Sequence, residues 1–197
     1  IYGDKETSYL IILLALVSLD IPYIPFDYSY PIEWLKKVKY IVNSNVLVKS
    51  GEYNIDLEFP IVIESDLSFT MNTLIKDHPC LGNQSDPIRY IMFTSGSTGE
   101  PKLIQITKSA LLSFVNWLRK DHPFSSQSIF MNQASFSFDL SAYNIYAAFA
   151  FGGSIVLIDE ATYRNPDEFF KKLCFYKVNT WISTPSFVYL FIIDKKF

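Results

Sequence analysis

Residues 90–102 have the sequence YIMFTSGSTGEPK, in which a short apolar segment runs directly into a polar loop. Tyr90 to Phe93 are consecutive apolar or aromatic residues, which is typical of a buried strand. The next nine residues, 94–102, contain four hydroxyl side chains, two glycines and a lysine. Glycines let backbone amides turn toward an oxyanion, hydroxyls donate further hydrogen bonds, and lysine adds a positive charge. This stretch therefore predicts a loop that binds a polyphosphate.

An ordinary surface loop has a similar composition, so composition alone does not separate the two interpretations. The chain has only 7 glycines in 197 residues, however, and two of them, Gly96 and Gly99, fall in this one loop. That spacing in a glycine-poor chain favours a backbone path that requires glycine. A P-loop is excluded, because that motif ends in Gly-Lys-Ser/Thr, whereas Gly99 is followed by Glu100.

On either side of the loop, segments with helical and strand character alternate. Strands are predicted at 46–48, 61–63, 90–93, 128–132, 155–158 and 180–183, and helices at 6–18, 31–42, 108–120, 140–151 and from Pro166 onward. Local sequence signals mark two helix ends. Asn165 and Pro166 are expected at the start of one helix, and Gly152 can adopt the left-handed conformation that caps the end of another. This alternation predicts an α/β fold of mostly parallel sheets flanked by helices.

Ligands of such sheets bind beyond the carboxyl ends of the strands. We therefore expect the loop after Phe93, the segment after Met131 and the turn after Ser183 to lie at one sheet edge.

Composition excludes several other classes of protein. The chain is 49% hydrophobic and 17% aromatic, with a net charge of -3, which excludes disorder, collagen and a basic nucleic-acid-binding module. Cys80 and Cys174 lie far apart with no metal-binding spacing, so we expect no zinc site or disulfide and a reducing, cytoplasmic location. The longest apolar run, Tyr9 to Val17, is too short to cross a bilayer and is interpreted as a buried helix.

Residues 90–102 resemble the phosphate loop of the adenylate-forming (AMP-binding) superfamily, which includes acyl-CoA synthetases, luciferases and amino acid adenylation domains. Other segments follow in the family's order. Residues 23–33 resemble its upstream YxPxD…YPxE segment, although Trp34 stands where arginine is usual. Phe138 to Ser141 resemble its FDxS segment, and Thr184 to Ser186 its TPS turn. Three longer runs, 93–102, 132–141 and 181–187, are most similar to the D-alanine:D-alanyl carrier protein ligase subfamily.

The resemblance implies an α/β fold in which residues 1–197 are an internal part of the large N-terminal domain, without the small C-terminal domain. It implies an ATP- and Mg²⁺-dependent ligase that activates D-alanine or another small amino acid as aminoacyl-AMP. The activated group passes to the phosphopantetheine thiol of a carrier protein, as in teichoic acid D-alanylation. No nucleic acid partner and no membrane insertion are expected. The ATP-binding residues it implies are Thr94, Ser95, Gly96, Ser97, Thr98, Gly99 and Lys102.

Asp139 has two interpretations. It stands in an apolar run before a predicted helix, where an Asp is a favoured N-cap. A carboxylate buried in such a run also needs a positive partner, and the resemblance implies that this partner is the ammonium group of the substrate amino acid. No catalytic residue and no metal ligand is assigned in this chain.

Two departures from the family pattern leave alternatives open. Leu103 stands where glycine usually follows the loop lysine, and the later motifs for adenine, ribose and magnesium do not occur in residues 1–197. We expect these 197 residues alone to be inactive. The alternatives are an acyl-CoA synthetase, a nonribosomal peptide adenylation domain, or a truncated non-catalytic remnant. His78 and His122 are expected in surface loops, and Asp159 in solvent at a strand end.

Overall fold

The computed structural model describes residues 1–59, 61–66, 68–71, 82–83, 85–95 and 101–193. The chain forms two compact units, Ile1–Leu111 and Leu112–Phe197. Four residues of the predicted phosphate loop, Gly96, Ser97, Thr98 and Gly99, lie outside the described residues, as do His78 and Cys80.

The first unit combines short sheets with two helices. The helices are α1 (Thr7–Ser18) and α2 (Ile32–Val42). The strands are β1 (Tyr2–Gly3), β2 (Phe26–Asp27), β3 (Val46–Val48), β4 (Ile61–Ile63), β5 (Phe69–Met71), β6 (Gly82–Asn83), β7 (Asp86–Ser95) and β8 (Pro101–Thr107). Strand pairs β1–β2 and β3–β4 are parallel, whereas β4–β5, β6–β7 and β7–β8 are antiparallel.

The β7–β8 pair differs from the sequence expectation, which placed a loop at Thr94 to Lys102 and no strand between that loop and the helix at 108–120. Strand β7 continues to Ser95, and Lys102 already lies in β8, directly across from Thr94. The reason lies in the sequence after the lysine, where Ile104, Ile106 and their neighbours form a β-rich segment that completes an antiparallel ladder. Strands β7 and β8 form an antiparallel hairpin, so Thr94, Ser95 and Lys102 of the predicted loop are paired strand residues.

The core of the first unit is rich in aromatic and branched side chains. Its main cluster consists of Tyr2, Phe26, Leu35, Val38, Leu47, Phe59 and Phe93. Helix α2 contributes Leu35 and Val38, whereas Ile41, three residues after Val38, is 54% exposed. Helix α1 buries only one side, because Ile12 is 8% exposed whereas Ile11 is 62% exposed.

The second unit is built on a parallel sheet of three strands in the order β10–β9–β11. These strands are β9 (Ile129–Asn132), β10 (Ser154–Leu157) and β11 (Thr180–Trp181). The helices are α3 (Lys108–Asp121), which begins in the first unit, α4 (Asp139–Phe151), α5 (Glu160–Arg164), α6 (Pro166–Phe175) and α7 (Pro185–Ile193). This parallel sheet with its helices confirms the predicted α/β class.

Both faces of the central strand β9 are covered. Successive side chains of a strand point to opposite faces. Phe130 packs with Ala147 and Ala148 of α4, whereas Met131 packs with Phe169 of α6 and Phe191 of α7. The strand is therefore buried on both sides, as is usual in parallel sheets.

The predicted helix ends are confirmed. The Asn165 side chain accepts a hydrogen bond from the Glu168 amide at 3.4 Å, and Pro166 occupies the first turn of α6. Gly152 caps α4 in the left-handed conformation with φ 69°. A Cβ atom on Gly153 would lie 2.6 Å from the Ser128 carbonyl oxygen, so only glycine fits beside β9 at that point.

The Asn179 side chain supports the pairing of β9 and β11 at their amino ends. Its Oδ1 accepts from the Ile129 amide at 2.8 Å, and its Nδ2 donates to the Gln127 carbonyl at 2.9 Å. The carboxamide thus continues the hydrogen-bonding ladder where the backbone of β11 begins.

Among the described residues, no helix combines the length and the apolar character needed to cross a bilayer.

Candidate functional site

The parallel sheet brings two predicted site segments to the same edge. Met131 of β9 pairs with Trp181 of β11, and Asn132 pairs with Leu157 of β10. The segments after Met131 and after Ser183 therefore leave the sheet at one carboxyl edge, as expected. The loop after Phe93 belongs instead to the antiparallel hairpin of the first unit, because β7 pairs with β8 and β6.

The end of the hairpin at which β7 stops and β8 begins carries a hydroxyl and an ammonium group side by side. Residues directly opposite each other in an antiparallel pair place their side chains on the same face. Thr94 and Lys102 form such a pair, and both are exposed. Ser95 follows Thr94 at the last position of β7. A hydroxyl donor beside an exposed cation is suited to binding an anion such as a phosphate.

Leu103 faces the core of the first unit. It pairs with Phe93 across the hairpin, and its half-buried side chain packs against the clusters around Phe93 and Ile91. Leu103 is not among the described residues with positive φ. The residue at the family's usual glycine position is therefore an ordinary strand residue in this chain.

The connection from β9 to α4 carries Asp139. Phe136 and Ser137 in this connection are buried, and Phe138 occupies the N-cap position with an extended backbone. Phe138 provides no side-chain hydrogen bond to the helix. Backbone bonds from the Ser141 and Ala142 amides to the Phe138 carbonyl, at 3.0 and 3.4 Å, begin the helix.

Asp139 is exposed, which corrects the expectation of a carboxylate buried in an apolar run. It is the first residue of α4 and not its N-cap, and its Oδ1 accepts from the Leu140 amide at 2.7 Å. The expectation was wrong because Phe138 beside it is itself 52% exposed, so the apolar run does not enclose the carboxylate. An exposed carboxylate at a helix start is favourably placed with respect to the helix dipole.

A buried side-chain pair behind Asp139 was not predicted. Asn132 Nδ2 donates to Ser141 Oγ at 2.9 Å and lies 3.4 Å from the Ser141 carbonyl oxygen, and Ser141 Oγ lies 3.3 Å from Asn132 Oδ1. Both residues are 0% exposed. Asn132 and Ser141 are the first and last residues of the run 132–141, which resembles the family. That resemblance gave no indication that the two side chains are in contact.

Two further polar residues near this pair are buried. Within the described part of the chain, Asn144 Nδ2 and Oδ1 and Gln133 Oε1 have no hydrogen-bond partner. Asn144 lies three residues after Ser141, so the two share one side of α4. A buried polar group without a partner is costly, which marks the start of α4 as unusually polar for a core position.

His122 is not a simple surface residue, in contrast to the sequence expectation. Its ring is half-buried and contacts Trp117 at 4.5 Å and Phe124 at 5.2 Å between ring centroids. Asp159 also differs from expectation, because it is the half-buried N-cap of α5 and accepts from the Thr162 amide at 2.7 Å. Neither residue lies in the Asp139 segment.

No group of three or more His, Cys, Asp or Glu side chains within the described ranges could hold a metal ion.

A family model described as AMP-binding enzyme matches residues 1–197. The chain belongs to this family of AMP-binding enzymes. The match extends over both units and includes the β7–β8 hairpin and the Asp139 segment.

Curated relatives align with the whole chain. A D-alanine--D-alanyl carrier protein ligase of Listeria monocytogenes serovar 1/2a is 31% identical over 204 residues. A protein of the same name from Bacillus anthracis is 34% identical over 202 residues. Each alignment covers 100% of this chain and 40% of the relative, so the chain spans well under half of the length of these ligases.

Solved structures support the AMP-binding fold. IdnL1 superposes with a TM-score of 0.81 at 20% identity, covering 99% of this chain and 40% of that one. The N-terminal subdomain of Klebsiella oxytoca NpsA, in complex with 3-hydroxybenzoyl-AMSN, superposes with a TM-score of 0.74 at 18% identity, covering 97% and 48%. At these identities the likeness concerns the fold alone.

Proposed function

We propose that this chain is part of an ATP-dependent ligase that activates D-alanine as aminoacyl-AMP and transfers it to the phosphopantetheine thiol of a carrier protein. The observation that carries the proposal is the alignment of all 197 residues with ligases of that name at 31–34% identity. On this proposal residues 1–197 are part of the large N-terminal domain, the protein works in the cytoplasm, and its carrier serves teichoic acid D-alanylation.

The hairpin is the proposed phosphate-binding element. The end at which β7 stops and β8 begins presents the Thr94 hydroxyl and the Lys102 ammonium group on one face, which fits the chemistry of a triphosphate. Ser95 and the loop residues Gly96, Ser97, Thr98 and Gly99 are proposed to complete the cradle. Such donors, fixed before the reaction, stabilise the charge that builds on departing pyrophosphate better than reorienting water does.

Asp139 is proposed to bind the ammonium group of the amino acid. Its carboxylate is exposed and is therefore accessible to a ligand. An ammonium-to-carboxylate hydrogen bond is charge-assisted and about twice as strong as a neutral one. An acyl-CoA synthetase has no substrate ammonium, so this role separates the two enzyme classes.

Mg²⁺ is proposed as a cofactor only for the complete protein. Magnesium prefers carboxylate and phosphate oxygens, and the described residues contain no cluster of acidic side chains suited to a metal. We therefore assign no residue of this chain to the ion.

The test is ATP/pyrophosphate exchange by the full gene product that contains residues 1–197. We expect exchange with D-alanine, less with L-alanine and none with acetate. Transfer is then measured as D-alanine bound to a phosphopantetheinylated carrier protein. Exchange with acetate but not with alanine would instead establish an acyl-CoA synthetase. The absence of exchange with any substrate would support a non-catalytic remnant.

A further inference from the structure

We propose that Asn132 and Ser141 are positioning residues for amino acid binding, acting through Asp139. This inference rests on the proposed function, because it concerns how the carboxylate that binds the ammonium group is held. It assigns neither residue a contact with the substrate. The pair instead fixes the first turn of α4 relative to the carboxyl end of β9.

The backbone of Asn132 is fixed by the sheet. Asn132 pairs with Leu157 of β10, and its carbonyl accepts from the Ile158 amide at 3.0 Å. Its position is therefore set by strand pairing on a sheet whose two faces are both covered. From this fixed backbone, the Asn132 carboxamide reaches the Ser141 hydroxyl of α4.

The first turn of α4 has no side-chain cap of its own. The Phe138 side chain makes no hydrogen bond to the helix, and the Asp139 carboxylate bonds only the adjacent Leu140 amide among the bonds described. N-cap side chains normally hold the first turn and contribute about 1 kcal/mol. Here the bond from Asn132 to the Ser141 hydroxyl supplies the connection.

Burial makes this connection rigid. Asn132 and Ser141 are both 0% exposed, and their closest contact is 2.9 Å. Water does not compete for a bond at that depth, and loss of the Ser141 hydroxyl removes the shortest of the contacts between the two residues. Asp139 lies two residues before Ser141 in the same turn. A change in this turn would therefore displace the carboxylate, whereas the hairpin that is proposed to bind ATP belongs to the first unit.

The experiment measures KM and kcat in ATP/pyrophosphate exchange with the full gene product. The variants are Asn132→Leu, which retains volume without the carboxamide, and the milder Ser141→Ala. Ser128→Ala is the matched control, because Ser128 is also buried, at 7% exposure, but lies before the opposite end of β9. We expect the amino acid KM to rise at least about tenfold in both variants, since small displacements of a binding group are costly.

The same measurements decide against a purely structural role. The KM for ATP and kcat should stay within about twofold of the parent. Because the pair acts as one unit, the amino acid KM of the double variant should be no higher than that of the more severe single variant. An unchanged amino acid KM, or one that rises together with the ATP KM, overturns the inference. If Asn132→Leu fails to fold, Ser141→Ala decides. A parent without amino-acid-dependent exchange would overturn the proposed function itself, which is a different result.

Discussion

Leu103 lies directly across the β7–β8 hairpin from Phe93, and its side chain packs into the core beside that ring. The next residue, Ile104, is 41% exposed on the opposite face of the strand. The position where the family usually has glycine is thus used for packing. The hairpin gains buried apolar surface at the base of the loop that is proposed to bind phosphate.

Replacement of Leu103 by glycine is expected to lower the free energy of unfolding by about 2 kcal/mol. The loss combines half-buried apolar surface with the entropy cost of glycine in a strand. Ile104→Gly is the matched control and should cost only about 1 kcal/mol, because its side chain is more exposed. Urea denaturation of both variants measures the difference. Equal losses would mean that the packing of Leu103 contributes nothing.

Lys102→Gln is expected to lower the rate of ATP/pyrophosphate exchange by about a hundredfold, because a fixed positive donor to the phosphates is lost. Lys108→Gln is the control, since this exposed lysine at the start of α3 is separated from Thr94 by the length of β8. Exchange assays with saturating amino acid make the comparison. Similar rates for the two variants would remove Lys102 from the phosphate site.

Asp139→Asn is expected to raise the KM for D-alanine by about ten- to a hundredfold, the range for a hydrogen bond to a charged group. The side-chain volume hardly changes, so the KM for ATP should not. Asp121→Asn, at the exposed end of α3, is a control for the loss of one surface charge. Steady-state exchange kinetics test this, and an unaltered KM for D-alanine would contradict the proposed role.

Asp159 is expected to stabilise the second unit in a pH-dependent way. Partial burial alone would raise the pKa of its carboxyl, but hydrogen bonds from the Thr162 amide and hydroxyl, with the charge of Lys172, bring the pKa below its usual value. A folded-state pKa below that of the unfolded chain gives stability that is complete above about pH 4 and is lost as the pH falls further.

Asp159→Ala should therefore cost about 1 kcal/mol of unfolding free energy at pH 7, as for loss of an N-cap, and less at pH 2.5. Urea denaturation at the two pH values measures this. Asp159→Asn is the matched comparison, because it retains an acceptor for the Thr162 amide without the charge. Its cost at pH 7 should be smaller than that of the alanine variant and should also fall towards pH 2.5. A cost for the alanine variant that is the same at both pH values would show that ionisation of Asp159 is irrelevant.

Asp4 is expected to have the opposite effect. Burial, together with the negative charge of Asp27, raises the pKa of the Asp4 carboxyl from 3.8 to about 6. The folded chain therefore binds more protons than the unfolded chain between these values, and stability falls as the pH rises through this window. Asp4→Asn should raise the unfolding free energy at pH 7.5 and leave it nearly unchanged at pH 3. Denaturation curves that show no gain at pH 7.5 would contradict this.

Local signals in the sequence predicted the helix ends well. The Asn165 cap with Pro166, and Gly152 at the end of α4, are confirmed because each depends on a few adjacent residues whose chemistry fixes the backbone. The parallel sheet was also predicted, since alternating segments of the right lengths leave few other arrangements.

The remaining features depend on contacts that the local sequence does not specify. The residues of β8 favour a strand, but their antiparallel pairing with β7 depends on a contact between the two segments. The exposure of Asp139 depends on where the Phe138 ring lies. The bond between Asn132 and Ser141 joins a strand to a helix, so neither residue's own neighbours predict it.

Asn179 fixes the register of β9 and β11 at the edge of the sheet opposite the Asp139 segment. Its carboxamide bonds the Ile129 amide and the Gln127 carbonyl at the amino ends of the strands, away from the edge that carries Asp139. A slip of one residue between β9 and β11 would turn Trp181 to the wrong face of the sheet. With the alignment secured at one end, residues at the other edge, where the amino acid is proposed to bind, can be substituted without disturbing strand pairing.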